Sequence, residues 1–263
     1  MKYVRLFGIT TLIIAAVLYM AADKEEAYEG PYVSAEEHYE AGDFSKINLN
    51  IRSSQAVVRV GEPYSIEIKA DPEDLKNIEL MVEDGIMTIK KKKRSWGGWH
   101  GGNPEVAISL PYLERFSVNG SSDAKITGIE SEKFFGEVNG AGDLSFEGKS
   151  GFLFAAINGS GDLRSHKFDA DQAQVQINGS GDIVLKGACR HMDVKVNGSG
   201  DVNARNFKCE DVDVGIHGFS DLSIFASSSV EANVSGNGEI QVYGNPAKVR
   251  DHSRRKKHLI IHK

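Results

Sequence analysis

The sequence predicts an all-β protein, a single-domain right-handed parallel β-helix (solenoid) with rungs of about 20 residues. Three observations predict it. A five-residue motif recurs at a near-constant period, apolar and polar residues alternate on both sides of the motif, and residues of one type occupy matching places in successive repeats. Columns of like residues at a fixed period indicate rungs that stack on one another.

The repeat is built on the motif NGSGD, which occurs in seven perfect or near copies. They are NGSSD at 119–123, NGAGD at 139–143, NGSGD at 158–162, 178–182 and 197–201, HGFSD at 217–221 and SGNGE at 235–239. Successive acidic residues of the motif lie 20, 19, 20, 19, 20 and 18 positions apart. This period is too long for a calcium nonapeptide array and too short for a propeller blade.

The residues around the motif predict two strands joined by a turn in every rung. A β-branched residue precedes each copy: Val118, Val138, Ile157, Ile177, Val196, Ile216 and Val234. A small residue lies eight positions before most copies: Ser131, Ser150, Ala170, Cys189, Cys209 and Ser227. Alternation of apolar and polar residues is typical of strands with one buried face.

The motif itself is predicted to form a corner of each rung. Gly and Asn adopt positive φ at little cost, and Ser and Asp side chains accept hydrogen bonds from backbone amides. The first expectation for the motif is therefore a structural one.

The N-terminus predicts export. Lys2 and Arg5 precede the apolar run of residues 6–22, and Asp23, Glu25 and Glu26 follow it. Residues 1–22 are therefore interpreted as a signal peptide or a membrane anchor, since Met20 is a poor residue for a cleavage site and the run is short for a span. Either alternative places the body of the protein in the periplasm, the cell envelope or at the cell surface.

The remaining segments follow in order along the chain. Residues 23–42 are acidic and lack an apolar period, which indicates a linker. Residues 43–115 alternate without the repeat, and the Asp84–Gly85 pair predicts a hairpin turn, so this part is expected to form N-terminal rungs and a cap. Residues 116–245 hold the repeats, and 246–263 form a basic C-terminal end.

Several motifs in a fixed order resemble the head GIN domain family of auto-transporter adhesins. They are IMTI after the DG pair (86–89), VAISLPYLERFSVNGSSD (106–123), the repeated NGSGD, and YGNPAKV (243–249). The resemblance covers about residues 43–263 and implies a secreted bacterial β-helix of the cell envelope, with no catalytic residues to carry over. The chain departs from the family at SRRKKHLIIHK (253–263), where a final turn with Gly and Ser is expected.

The acidic row of the motif has two interpretations. Asp143, Asp162, Asp182 and Asp201 would line up along the solenoid and offer oxygen ligands to calcium. One acid per rung is sparse for such a site, however, and the same carboxylates are suited to cap the turns, which is the favoured interpretation.

The only two cysteines, Cys189 and Cys209, occupy the same place in adjacent repeats. Vertical neighbours on adjacent rungs lie near disulfide reach, so either a disulfide or two small buried thiols fits the pattern.

One segment has the composition of a binding loop. Residues 90–104, KKKKRSWGGWHGGNP, interrupt the β pattern and contain Lys92, Arg94, Trp96 and Trp99. Trp and Arg are favoured contact residues, and Trp stacks on sugar rings, so these four form a candidate binding surface for a glycan or envelope polysaccharide. The alternative is a loop whose tryptophans pack back onto the solenoid.

Composition and motifs limit the function classes. The formal net charge of −6 argues against nucleic acid as a partner. The chain lacks a nucleophile elbow, a metal-binding His pair and a phosphate loop, and regular rungs lack the long insertions that build a catalytic cleft, so neither a cofactor nor catalysis is expected. The predicted function is an adhesin-like binding scaffold of the envelope, with self-association as a further option. A structural or stress-related envelope role is the alternative, and a polysaccharide-active enzyme is a more distant one.

Overall fold

The structure is a computed structural model that describes residues 35–39, 43–92, 99–100, 102–253 and 258–262. The predicted export segment 1–22 lies outside the described residues. Among the residues that are described, no helix is long and apolar enough to cross a bilayer.

Seventeen strands and one short helix make up the described part of the chain. They are β1 (Ala35–Tyr39), β2 (Lys46–Asn50), β3 (Gln55–Val60), β4 (Ser65–Ala70), α1 (Pro72–Leu75), β5 (Ile78–Glu83), β6 (Ile86–Lys91), β7 (Glu105–Leu110), β8 (Arg115–Gly120), β9 (Asp123–Gly140), β10 (Leu144–Gly159), β11 (Leu163–Gly179), β12 (Ile183–Gly198), β13 (Val202–Gly218), β14 (Asp221–Gly236), β15 (Glu239–Tyr243), β16 (Lys248–Asp251) and β17 (Leu259–Ile261).

The predicted solenoid of parallel rungs is confirmed. From β9 to β14, each strand of 16–18 residues runs through most of one rung and pairs in parallel with the strands before and after it. The β-branched column is in register, because Ile157 pairs with Val138 on one side and Ile177 on the other. Its side chains are buried, and the phenyl rings of Phe134, Phe146 and Phe168 pack edge to face or tilted beside them, with centroids 5.1–6.0 Å apart.

Two hydrogen-bond ladders explain the motif. Each motif Asn donates from its side-chain amide to the side-chain oxygen of the Asn one rung below, as Asn158 does to Asn139 at 2.9 Å. Each motif Asp accepts the backbone N–H of the acidic residue one rung above, as Asp143 does from Asp162 at 2.9 Å. The last step of the acidic ladder joins the N–H of Glu239 to Asp221 at 3.2 Å.

One member of the small-residue column was predicted wrongly. Ser131, Ser150, Ala170, Cys189 and Cys209 are in register, but Ala226 rather than Ser227 lies opposite Cys209. The pairing of β13 with β14 changes register on both sides of Lys208 and Cys209, because the last repeat step is the shortest and the two rungs differ in length. A count of eight positions back from the motif therefore gives Ser227, one residue away from the true member Ala226.

The N-terminal rungs do not stack in chain order. The β2–β3 rung lies between β6 and β7 on one side and β8 and the start of β9 on the other. Beyond β6 and β7, the antiparallel strands β5, β4 and β1 cover this end. The hairpin predicted at the DG pair is confirmed: Asp84 and Gly85 have φ of 51° and 72° and join β5 to β6, as a two-residue hairpin requires.

Two elements of this region differ from the sequence-based expectation. Residues 35–39, within the predicted linker, form β1, which pairs with β4 although only Ala35 is buried in the core. Helix α1 is a single turn that begins where Asp71 accepts the N–H of Glu73 at 2.8 Å, with Pro72 in the first helical position. Both are too short for a periodic apolar pattern to show.

At the C-terminal end, the chain adds one more set of rung strands. Strand β16 pairs with β14, and β17 pairs with β15, both in parallel. Arg254–Lys257 of the predicted basic end lie outside the described residues.

Candidate binding face

Strands β9 to β12 present a continuous outward surface, here called the outer face. Alternation along each strand buries Phe134, Leu153, Ala173 and Met192 in the core and turns their neighbours outward. The register then aligns the outward residues in three columns across the rungs. The columns are Lys133, Phe152, Gln172 and His191; Phe135, Phe154, Gln174 and Asp193; and Glu137, Ala156, Gln176 and Lys195.

The N-terminal half of the outer face is aromatic. The ring centroid of Phe135 lies 5.9 Å from that of Phe152 and 5.8 Å from that of Phe154. The Arg115 guanidinium covers Phe135 at 4.8 Å and is paired with Glu137 at 3.2 Å. All three phenyl groups remain partly exposed, so an apolar patch with a charged rim faces solvent.

The next rung continues the face with amide groups. Gln172 and Gln174 directly follow Phe152 and Phe154 in their columns, and Gln176 follows Ala156. A glutamine amide offers both donors and acceptors, so this rung can hydrogen-bond to hydroxyl groups of a ligand.

Beyond the glutamines the face becomes acidic. Asp193 is followed in its column by Asp213 and Glu231 on β13 and β14. Partial burial raises the pKa of Asp213, and the neighbouring carboxylates Glu231 and Asp193 raise it further, while His191 opposes them. The serine hydroxyl of Ser229 hydrogen-bonds to Asp211 and lowers the pKa of that carboxyl.

An axial groove borders the outer face. Its floor is the small-residue column Ser131, Ser150, Ala170 and Cys189, and its volume is about 750 Å³. The side chains of the column are too short to fill the space between the residues on either side. Residues on the wall next to the outer face, such as Glu132 and Arg190, immediately precede its first column, so groove and face form one surface.

The charges of the groove are largely paired. Lys149 lies 2.7 Å from Glu130, and Arg190 lies 3.7 Å from Asp171. Tyr112 lines the same groove, and its phenol pKa is raised by burial and by Glu114 and Glu132, so the hydroxyl is neutral. The hydroxyls of Ser131 and Ser150 are buried in the floor and lack a hydrogen-bond partner within the described structure.

The residues predicted for binding are divided between different places. Trp99 donates its ring N–H to the carbonyl of Arg52 at 2.6 Å and packs against the core, with Lys91 Nζ 4.3 Å from its ring centroid. Lys92 donates to the carbonyl of Lys76 at 2.5 Å. Arg94 and Trp96 lie outside the described residues. Arg52, Lys91 and Lys76, which Trp99 and Lys92 contact, do not belong to the outer face.

The end of this loop is fixed by a buried acid. Asp74 of α1 is fully buried, and its carboxylate accepts the backbone N–H of His100 at 2.7 Å and contacts the imidazole at 2.8 Å. Trp99 and His100, the described residues at this end of the loop, thus match the alternative in which the tryptophans pack back onto the solenoid.

The acidic ladder does not form a convergent metal site. The carboxylates of Asp143, Asp162, Asp182 and Asp201 each hold a backbone N–H of the following rung. Within the described ranges, the one group of His, Cys, Asp or Glu side chains whose ligand atoms converge is Glu36, His38 and Glu67. Sequence reasoning missed it because Glu36 and His38 lie in the predicted linker and Glu67 is distant from them in the chain.

The two cysteines are joined. Cys189 and Cys209 form a disulfide between β12 and β13, with Cα atoms 4.4 Å apart, at the C-terminal end of the groove floor.

Sequence reasoning did not find the outer face. The outward residues Phe152, Phe154, Gln172 and Gln174 differ from rung to rung, so they escape a search for columns of like residues. A listing of the residue four places after the groove column would have placed Phe135 and Phe154 in one column.

Comparison with known proteins identifies the family of this chain and finds solved structures with the same fold. The family profile described as "Putative auto-transporter adhesin, head GIN domain" matches residues 43–246. A search of curated proteins gives no match.

Several solved structures share the fold. A putative adhesin from Parabacteroides distasonis ATCC 8503 has a TM-score of 0.77 and 20% identity over 88% of this chain and 98% of its own. A putative adhesin from Parabacteroides merdae ATCC 43184 has a TM-score of 0.76 and 18% identity over 89% and 98%. A putative lipid binding protein from Parabacteroides distasonis ATCC 8503 has a TM-score of 0.76 and 18% identity over 88% and 97%.

Proposed function

Because the chain belongs to the head GIN domain family described as putative auto-transporter adhesins, we propose that it is an exported, non-catalytic envelope protein that binds an extended glycan. The observation that carries the proposal is the outer face, where three phenyl groups lie beside three glutamine amides on adjacent rungs. The export part of the proposal rests on the charged and apolar pattern of residues 1–26.

The chemistry of the outer face suits a neutral polysaccharide. Phenyl rings offer apolar surface to the C–H face of a sugar ring, and glutamine amides donate to and accept from hydroxyl groups. The face is open and spans several rungs, as a polymer that continues beyond the site requires. The adjoining groove is lined by four acidic and two basic side chains, and both basic ones are paired with acids, which favours a neutral chain over a polyanion.

The same surface argues for binding rather than catalysis. The acids that continue its second column, Asp193, Asp213 and Glu231, follow one another on one open side of the sheet, one to each rung. A glycoside-cleaving site instead holds two carboxylates across one bond.

The test is capture of polysaccharides by the full chain in mild detergent, on a glycan and envelope-polysaccharide array with and without calcium. The test variant carries Phe152→Gln and Phe154→Gln. Because Gln172 and Gln174 occupy the same two columns on the next rung, the fold is expected to tolerate both substitutions. Capture should fall at least about tenfold when the stacking surface is lost, since a hot-spot aromatic side chain contributes about 2 kcal/mol or more.

A matched control separates the face from exposed aromatics in general. Phe219 is 70% exposed on the motif corner, where four other copies of the motif have Ser, so Phe219→Ser should leave capture unchanged. A further variant, Trp96→Ala with Trp99→Ala, tests the loop that the sequence suggested. Loss of capture in the loop variant alone would move the site from the outer face to the loop.

A structural or stress-related envelope role is the competing function. It predicts a blank array for the unmodified protein and an envelope defect, such as detergent sensitivity, in cells that lack it. One structural neighbour is described as a putative lipid binding protein, so binding to phospholipid vesicles is also measured. The two phenylalanine substitutions should leave any vesicle binding unchanged.

A further inference from the structure

Three potential metal ligands meet where β1 pairs with β4. Glu36 and His38 lie two residues apart on β1 and therefore point to the same side of the sheet. In the antiparallel register, His38 lies directly opposite Glu67 on β4. One ligand atom from each of the three side chains lies within 4.8 Å of the others.

The set combines one imidazole with two carboxylates. Imidazole nitrogen and carboxylate oxygen are common ligands of zinc, and three protein ligands leave a fourth position for water or another ligand. We propose that Glu36, His38 and Glu67 bind a zinc ion that links the N-terminal strand β1 to the solenoid.

The geometry requires only side-chain movement. Ligand atoms of a tetrahedral zinc site lie roughly 3.3 Å apart, given metal–ligand bonds of about 2.0–2.2 Å. His38 Nε2 is already 3.1 Å from Glu36 Oε1, and His38 Nδ1 is 4.0 Å from Glu67 Oε2. The three side chains are 54%, 29% and 40% exposed in the order His38, Glu36, Glu67, so rotation to bring one nitrogen towards both carboxylates is unhindered by the core.

The charges of the three side chains also favour a cation. The two carboxylates approach one imidazole, at 3.1 Å for Glu36 and 4.0 Å for Glu67. Lys69, which lies opposite Glu36 in the register, is the competing positive charge on β4. A divalent ion between Glu36 and Glu67 would neutralise both carboxylates at once.

The site has a mechanical consequence. Among the described residues, strand β1 pairs with β4 alone, through five residues; Ala35 is its one buried residue, and Tyr39 packs partly against the core. A metal ion bonded to Glu36 and His38 on β1 and to Glu67 on β4 adds cross-links to this weak pairing. Zinc would thereby fix the strand that connects the solenoid to residues 1–34.

The test is isothermal titration calorimetry. The full chain in mild detergent is first treated with a chelator and then titrated with ZnCl₂. Because other histidines can contribute weaker sites, the expected result is one tight zinc site per chain that is weakened at least tenfold by His38→Gln and by Glu67→Gln. The matched control is His191→Gln, since His191 is also exposed and lies 3.7 Å from the Asp213 carboxylate. It should leave the tight site intact.

Hydrogen exchange and a calcium titration complete the test. Zinc should slow backbone hydrogen exchange in residues 35–39 of the unmodified chain and leave it unchanged in His38→Gln. Equal zinc affinity in His38→Gln, or equally tight binding of calcium to the same residues, would overturn the proposal, since the latter indicates a general acidic surface.

Discussion

The first glycine of each motif copy is required both by its backbone angle and by its neighbour. Gly159 has φ of 149°, in a region that side-chain-bearing residues rarely adopt, and a Cβ atom there would overlap the carbonyl oxygen of Gly140 in the rung below. All seven copies have glycine at this position.

We therefore expect Gly159→Ala to lower the free energy of unfolding by about 1–3 kcal/mol. Urea denaturation followed by circular dichroism measures the change. Ser160→Ala, in the next and exposed position of the same motif, is the control and should have little effect. Equal stability of Gly159→Ala and the unmodified chain would contradict the assigned role.

The acidic column that continues the outer face onto β13 predicts a pH effect at Asp213. The pKa of Asp213 is raised in the folded state by partial burial and by neighbouring acids, so the folded protein holds this proton more tightly than the unfolded chain does. Ionisation of Asp213 consequently destabilises the fold above its folded pKa, and the penalty disappears as the pH falls below the unfolded value of 3.8.

Because the Asp213 side chain is 54% exposed, solvent screens much of this penalty. Asp213→Asn should thus raise the melting temperature slightly at pH 7 and leave it unchanged at pH 3. Differential scanning calorimetry at the two pH values tests this, with the exposed Asp169→Asn as the control. An unchanged melting temperature at pH 7 would show that His191 already compensates the charge.

At the scale of the elements, the disulfide joins two rungs that already pair along most of their length. Its covalent loop spans a sequence separation of 20 residues, and cross-links of that size restrict the unfolded chain. The groove floor beside it contains Ala170, and Ala226 lies opposite Cys209, so alanine fits the column without new contacts.

Replacing both cysteines by alanine should lower the free energy of unfolding by about 2–4 kcal/mol. A reductant should produce a similar loss in the unmodified chain and none in the double variant, as measured by urea denaturation under both conditions. If the reductant changes neither protein, the two residues act as thiols and the alternative drawn from the sequence holds.

At the scale of the whole molecule, stability is expected to be graded along the solenoid axis. Rungs β10 to β13 are each paired on both sides over nearly their full length, whereas β17 has three residues and pairs with β15 alone. In repeat proteins the stability of a unit depends on its nearest neighbours.

Backbone hydrogen exchange read by mass spectrometry should therefore be slowest in β10 to β13 and fastest in β1 and β17. The comparison is made within one protein, so β12 is the internal reference for the terminal strands. Protection of β17 equal to that of β12 would indicate a single cooperative unit instead.

The sequence by itself determined the solenoid, its period and the chemistry of its corner. These follow from local rules, because a turn needs Gly and Asn at fixed places, a strand alternates apolar and polar residues, and repetition makes each rung predict the next. The columns of Ile157 and of Ser150 could be read in advance for the same reason. The step that failed, Ser227 for Ala226, lies where rung length changes and the period is no longer a guide.

Only the tertiary structure decided which residues of different rungs meet on the surface. The outer face depends on the register that places Phe135, Phe154 and Gln174 in one column, and those residues share no pattern in the sequence. The stacking of β2 between β6 and β8, and the approach of Glu36 and His38 to Glu67, join segments that are distant in the chain. Such contacts arise from strand pairing across the fold, which local propensities do not specify.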